Sequence, residues 1–264
     1  MAARRVLPFV ALALAAAAQD STAFTSAKIV PDVIASFEPT VSVQLTFDHE
    51  GFKIPVTEGV LLTINQTATE PVIALKSSSS LEGKAYLVAM VDPDAPTPQN
   101  KSVSQVRHWL APNFVAGAAG SDGLFTLTES GAPVGKYAGP GPAAPSDPHR
   151  YTVLVYEQPS AQIDAPSGNA NAPFLKFDVT KYTSSIAGLK LVGGTYFRVG
   201  PLGTVPTNGT NVPTESGEDG TETTTSDGEE PTATQDGTGA AVGVKAFGAS
   251  FVGVVGVLAA FALV

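Results

Sequence analysis

The chain has no cysteine, one tryptophan, two methionines and three histidines among 264 residues. Without cysteine there is neither a disulfide framework nor a thiol nucleophile, so the fold has to rest on a sizeable buried apolar core. A folded stretch of about 180 residues is long enough to supply one. Two hydrolytic signatures are missing as well: the sequence has no Gly-x-Ser-x-Gly elbow and no His-Glu-x-x-His pair, the best-marked serine and zinc hydrolase patterns.

Basic residues are unevenly scarce. Residues 204–240 carry eight acidic side chains and no Lys or Arg, whereas residues 19–203 carry 16 acidic and 12 basic ones, a balance of −4 within the formal −9 of the chain. Much of the acidity therefore lies outside the folded part, and nucleic acid is not an expected partner. The same acidic segment holds 13 Ser or Thr among 37 residues. With almost no large apolar side chain it cannot bury enough surface to offset its ordering entropy, and residues 204–238 read as an extended, O-glycosylated stalk.

Both ends look like address and tether. Arg4 and Arg5 precede an apolar run over residues 6–17, closed by small residues through Ala18, the pattern of a signal peptide over residues 1–18. Its short length argues against an alanine-rich core helix. Residues 247–264 are uncharged and mostly apolar, and small residues around Gly237 precede them. That order fits a glycolipid attachment signal over residues 239–264, with Gly237 as the attachment residue; an ordinary C-terminal membrane anchor is the alternative. The expected location is the cell surface, anchored to plasma membrane or cell wall. Export would make the sequons at Asn65, Asn100 and Asn208 glycosylation sites.

Between these ends, short runs rich in Val, Leu, Ile and aromatics read as strands at residues 41–47, 60–64, 85–91, 106–111, 151–156 and 195–199. The first alternates as a half-buried strand should, while residues 86–91 are continuously apolar and central. Two packed sheets would explain both patterns. One helix is expected from Asp178 as N-cap to near Gly188, with Tyr182, Ile186 and Leu189 sharing a face. Residues 115–138, rich in glycine and small polar residues, are expected to form an irregular excursion with one short hairpin.

Two stretches concentrate the chemistry. In "VDPDAPTPQNKSVSQVRHWL", Asp92 and Asp94 flank Pro93, and His108 follows. Proline biases the residue before it toward extended backbone, and residues two apart on an extended segment point the same way, so both aspartates are expected to face one space. A polar turn after a strand is the simpler reading of Asp-Pro-Asp alone. In "GPGPAAPSDPHRYTVLVYEQP", Gly139 and Gly141 offer a side-chain-poor loop that a ligand could approach closely, and His149 opens an apolar run. The third histidine, His49, reads as a turn residue.

Together, "IVPDVI" at residues 29–34, "DPDAP" at 92–96, "HWL" at 108–110, "GPGP" at 139–142 and "HRYTVLVYEQ" at 149–158 resemble the phosphatidylethanolamine-binding protein family, also called the Raf kinase inhibitor protein family, in a fungal-type secreted form. The resemblance implies a mainly β domain over residues 24–203, an antiparallel β-sandwich with a few short helices. It also implies a small anion pocket for phosphate-type groups, phospholipid head groups among them. The wall positions would be Asp92, Asp94, His108, Gly139, Gly141 and His149, with Pro96 and Tyr151 as secondary members. Binding rather than turnover is implied, so no catalytic residue, cofactor or metal is expected. Aspartate and histidine could still serve a hydrolase as base, acid or metal ligands. A serine carboxypeptidase is the alternative partner, because fungal members of the family inhibit one.

Two features depart from the family pattern. Arg107 stands where many members have a histidine, which is expected to add positive charge at the pocket rim. About thirty residues separate His108 from Gly139, more than in compact animal members. Because a phosphate dianion beside two carboxylates is repelled, affinity is expected to rise as pH falls from about 7 toward 5 and His and carboxyl groups take up protons.

Overall fold

The computed structural model describes residues 21–203. By internal contacts the chain divides into residues 1–214 and 215–264, and every described residue belongs to the first unit. The expected signal peptide, stalk, Asn208, Gly237 and apolar tail lie outside the described residues.

Two short helices, α1 (Thr22–Ser26) and α2 (Ile29–Asp32), precede strands β1 (Ser42–His49), β2 (Phe52–Pro55) and β3 (Leu61–Leu62). A 3-10 turn (Asn65–Thr67) leads to β4 (Val72–Lys76), β5 (Ala85–Asp92), β6 (Val106–Ala119), β7 (Leu124–Glu129) and β8 (His149–Glu157). Helix α3 (Val179–Ser184) and strand β9 (Lys190–Val199) complete the domain. All nine strands join one sheet in the order β2-β1-β4-β7-β6-β5-β8-β9-β3, antiparallel except for the β3/β9 pair. The mainly β expectation holds, with the two layers of the sandwich continuous as one curled sheet. Its curl brings the approach to β1 onto β9, where Thr40 N–H donates to Val192 O at 2.8 Å.

Glycine makes that closure possible. A Cβ on Gly193 would lie 2.9 Å from Val41 O, and one on Gly194 would meet Val153 O at 2.8 Å and the Phe24 ring at 3.1 Å. Strand β9 therefore runs through residues 193 and 194 rather than starting after them, because only a missing side chain lets the backbones approach.

The inner face of the curl is filled from nearly every strand: Leu45 and Phe47, Leu75, Tyr86, Val88 and Met90, Trp109, Val153 and Phe197 are at most 1% exposed. The outer face of β5, β6 and β8 presents Leu87, Ala89, Val91, Leu110 and Leu154 to Phe24, Ile29, Phe177, Val179 and Tyr182 of the helical layer. Strand β5 is thus buried on both faces, which is why its sequence is apolar without alternation. Each fully buried Leu or Phe stabilises such a core by about 1.5–3 kcal/mol.

Several elements differ from the sequence expectation. Strands β2 and β4 appear where none was expected, because a neighbour completes their pairing. His49 is the last residue of β1 and pairs with Phe52, with Glu50 and Gly51 at φ 53° and 83° forming the turn. The excursion after residue 115 contains one hairpin, β6 with β7, and then returns along β6, with Leu110 and Gly135 exchanging backbone hydrogen bonds at 2.9 Å. Asp178 does cap α3, its Oδ1 accepting the Lys181 N–H at 2.8 Å. The helix stops at Ser184, four residues short of Gly188, which has φ 78°.

Candidate anion-binding site

The C-terminal end of β5 lies beside the N-terminal ends of β6 and β8 because both pair with it antiparallel. Their inner-face residues continue the core series until it reaches the end of the sheet, where the next positions are polar. Asp92 follows Tyr86, Val88 and Met90 on β5, and His149 precedes Tyr151 and Val153 on β8.

His108 arrives by a different device. Met90 pairs with Trp109 but Val91 pairs with Arg107, so His108 is the extra residue of a β-bulge. A bulge re-aims its side chain, and the His108 ring stands edge-on to Tyr151 with centroids 5.1 Å apart. The returning excursion fixes the ring, because the Ala138 carbonyl lies 2.7 Å from His108 Nδ1. A carbonyl only accepts, so Nδ1 carries the proton, and Nε2 has no partner among the described hydrogen bonds.

These groups border one cavity of about 380 Å³. Asp92, Pro96, His108, Gly139, Gly141, His149 and Tyr151 all line it. Gly139 packs closely, since a Cβ there would lie 3.1 Å from Thr67 O, whereas the Gly141 amide meets the Tyr151 hydroxyl. On the floor, Asp92 Oδ2 accepts from His149 Nδ1 at 2.8 Å, and His149 Nε2 lies 2.9 Å from Ser146 Oγ. The Ser146 hydroxyl donates to Asp147 O at 2.9 Å, leaving Oγ to accept.

Asp94 does not line the cavity, contrary to the expectation that both aspartates face one space. The backbone N–H of Asp94 donates to Asp92 Oδ1 at 2.7 Å, an Asx-type turn that curls the segment and ends the extended alternation. Asp94 instead receives Arg150 through the backbone N–H at 2.9 Å and Nε at 2.8 Å on Oδ2, and through Nη2 at 2.6 Å on Oδ1. Arg150 also holds Asp32 of α2 at 2.9 Å, and Lys101 reaches Asp32 at 2.8 Å. Burial alone would raise the Asp94 carboxyl, but the Arg150 hydrogen bonds and charge hold it below the ordinary 3.8.

Arg107 is likewise absent from the rim. The bulge places it opposite Val91 on the outer face, where its Nε donates to Ala172 O at 3.3 Å. Burial pushes the His108 imidazole below its ordinary 6.5, although Ala138 O and Asp92 pull it the other way. Burial raises the Tyr151 phenol, so it stays protonated across the physiological range. At neutral pH the His108 ring in the floor is therefore neutral and the Tyr151 phenol protonated.

The sequence reading missed Ser146, Arg150 and the apolar mouth residues Phe174 and Leu175. Of these only Arg150 carried a signal, a cation directly after a site histidine on a strand, where adjacent residues face opposite sides. Among the described residues no group of three or more His, Asp or Glu side chains is placed to hold a metal ion.

Comparison with known proteins supplies context for this geometry. A 26 kDa secreted antigen of Toxocara canis is 33% identical over 139 residues, covering 52% of this chain and 47% of the antigen, so the match spans about half of that relative. A carboxypeptidase Y inhibitor solved in complex with its cognate proteinase superimposes with TM-score 0.56 at 22% identity, covering 72% of this chain and 98% of the inhibitor. A phosphatidylethanolamine-binding protein from Plasmodium vivax gives TM-score 0.53 at 16% identity, with 70% and 98% coverage. At these identities the two structures establish the fold alone. The family description "Phosphatidylethanolamine-binding protein" matches residues 46–197, which include all eight expected site residues, and the chain belongs to that family.

Proposed function

We propose that this chain is a surface-tethered binding protein whose cavity takes a small phosphate-type anion, such as a phospholipid head group, without turning it over. The observation that carries the reading is the convergence of Asp92, His108, Gly139, Gly141, His149 and Tyr151 on one cavity from three strands and a loop. An anion arriving there meets an Asp92 carboxylate already engaged by His149, and the Tyr151 hydroxyl, which the Gly141 amide holds in place. Protonation of His108 Nε2 adds a charge-assisted donor, so binding couples to proton uptake. In this reading residues 1–18 direct export, residues 204–238 lift the domain, and residues 239–264 are exchanged for a glycolipid at Gly237. Exposed Asn65 and Asn100 are available for glycans.

Calorimetric titration with O-phosphoethanolamine tests the cavity. Affinity should rise from pH 7 to pH 5.5 and fall at least about tenfold in His149→Ala; binding that ignores both changes would overturn the reading. Inhibition of a serine carboxypeptidase is a second reading, favoured by the likeness to the carboxypeptidase Y inhibitor. Inhibition that survives His149→Ala would assign that activity to a surface outside the cavity.

A further inference from the structure

The floor and the mouth of the cavity differ in chemistry. Asp92, His108 and His149 are buried at its floor. Among the described residues only five large hydrophobic side chains are exposed, and two of them, Phe174 and Leu175 at 48% and 46%, are adjacent and border this one opening. Pro96 and Ala143, from two other loops, also line it and are exposed.

This outward display is held in place. Arg107 N–H donates to Phe174 O at 2.9 Å, Lys176 N–H to Val103 O at 3.0 Å, and Phe177 N–H to Gln105 O at 2.9 Å, so the segment is stapled to the approach and start of β6. Within it Lys176 has φ 56°, a left-handed conformation that disfavours any residue with a Cβ. The backbone thus stays strained with two large apolar side chains in water, an arrangement that marks a contact surface. Lys176, the residue after Leu175, is exposed and enters no ion pair among the described residues.

We propose that Phe174 and Leu175 form an insertion lip, and that the occupant of the cavity is the phosphate head group of a lipid still seated in a bilayer rather than a soluble phosphate. The inference rests on the head-group reading given above. A phospholipid presents its charge first and its apolar part just beneath, matching a polar floor ringed by apolar side chains. Lys176, next to the lip in the chain, adds attraction to lipid phosphates at the interface. A protein partner fits less well, because four apolar side chains fall far short of the roughly 800 Å² per side of a stable protein contact.

The test uses residues 19–214, which retain both apolar core clusters entire and omit the apolar C-terminal segment. Wild type, Phe174→Ser/Leu175→Ser and His149→Ala are compared in flotation with phosphatidylcholine vesicles containing phosphatidylethanolamine, and in titration with free O-phosphoethanolamine. The lip variant should lose at least about tenfold more affinity for vesicles than for the free head group, because both side chains border the cavity but only a vesicle offers an apolar layer to insert into. His149→Ala should lose both. Phe174→Trp adds a direct reporter over the single buried Trp109, and its emission should shift to the blue on vesicles. Equal vesicle binding by wild type and lip variant, or wild type that binds the free head group but no vesicle, overturns the lip and leaves the cavity reading standing. Failure of wild type to bind either ligand overturns the cavity reading itself. Loss of carboxypeptidase inhibition in the lip variant, with vesicle binding unchanged, would make the lip a protein-contact face.

Discussion

Asp92 and Asp94 stand two residues apart in one motif and serve opposite faces of the sheet. Asp92 points inward and meets one histidine at the cavity floor. Asp94 turns outward and accepts three hydrogen bonds from Arg150, which also ties down Asp32 and, through Nη1, the Ala27 carbonyl. The same split recurs on β8, where His149 faces the cavity and Arg150 faces the helical layer. Each strand end thus contributes one residue to the cavity and its neighbour to architecture, and the Asx turn at Asp92 effects the separation.

The comparison breaks most visibly at Arg150. Arg150→Ala leaves Asp94 buried without its fork, and stability measured by urea denaturation should fall by about 3 kcal/mol. His149→Ala on the inner face should lower stability by about 2 kcal/mol, a single lost hydrogen bond to a buried charged group, while head-group affinity drops at least about tenfold.

Acid separates the two faces next. The folded-state pKa of His108 lies below its ordinary 6.5 because of burial, so the unfolded chain binds the proton more readily. Its contribution to stability is complete above about pH 6.5 and declines as pH falls below that value toward the folded pKa. Anion affinity moves the other way over the same window, since the ligand favours the protonated ring. Asp94 has a folded-state pKa below 3.8, so its contribution is present above that value and is lost only as pH falls further, through the folded pKa. Denaturation midpoints and titrations at pH 7, 5.5 and 3.5 should show affinity rising before the outer cluster fails. The smallest effect is expected at Arg107: on the outer face, Arg107→Lys should leave head-group affinity within about twofold of wild type.

Much of this was legible in the chain. The apolar run of β5, the alternation of β1 and the Asp178 cap each follow from local pattern. Seven of the eight expected pocket residues also line the cavity, because the motifs occupy the ends of strands that pair with β5. The misses share a cause. Arg107 was expected at the rim because many members of the family have a histidine there, and its outward placement opposite Val91 follows from the pairing register around the His108 bulge. Strands β2 and β4 lack a strong pattern of their own and form against β1.

By itself the sequence determined the cysteine-free β domain, its acidic Ser/Thr-rich extension and which side chains of the motifs carry charge, because composition and residue type are local properties. Only the tertiary structure decided which of those charges face one another. Aspartates two residues apart diverge once a single hydrogen bond curls the backbone between them. Phe174 and Leu175 come to the cavity mouth through backbone bonds to a strand some seventy residues away. Direction and proximity depend on register, bulges and closure, and these are fixed only when the strands pair.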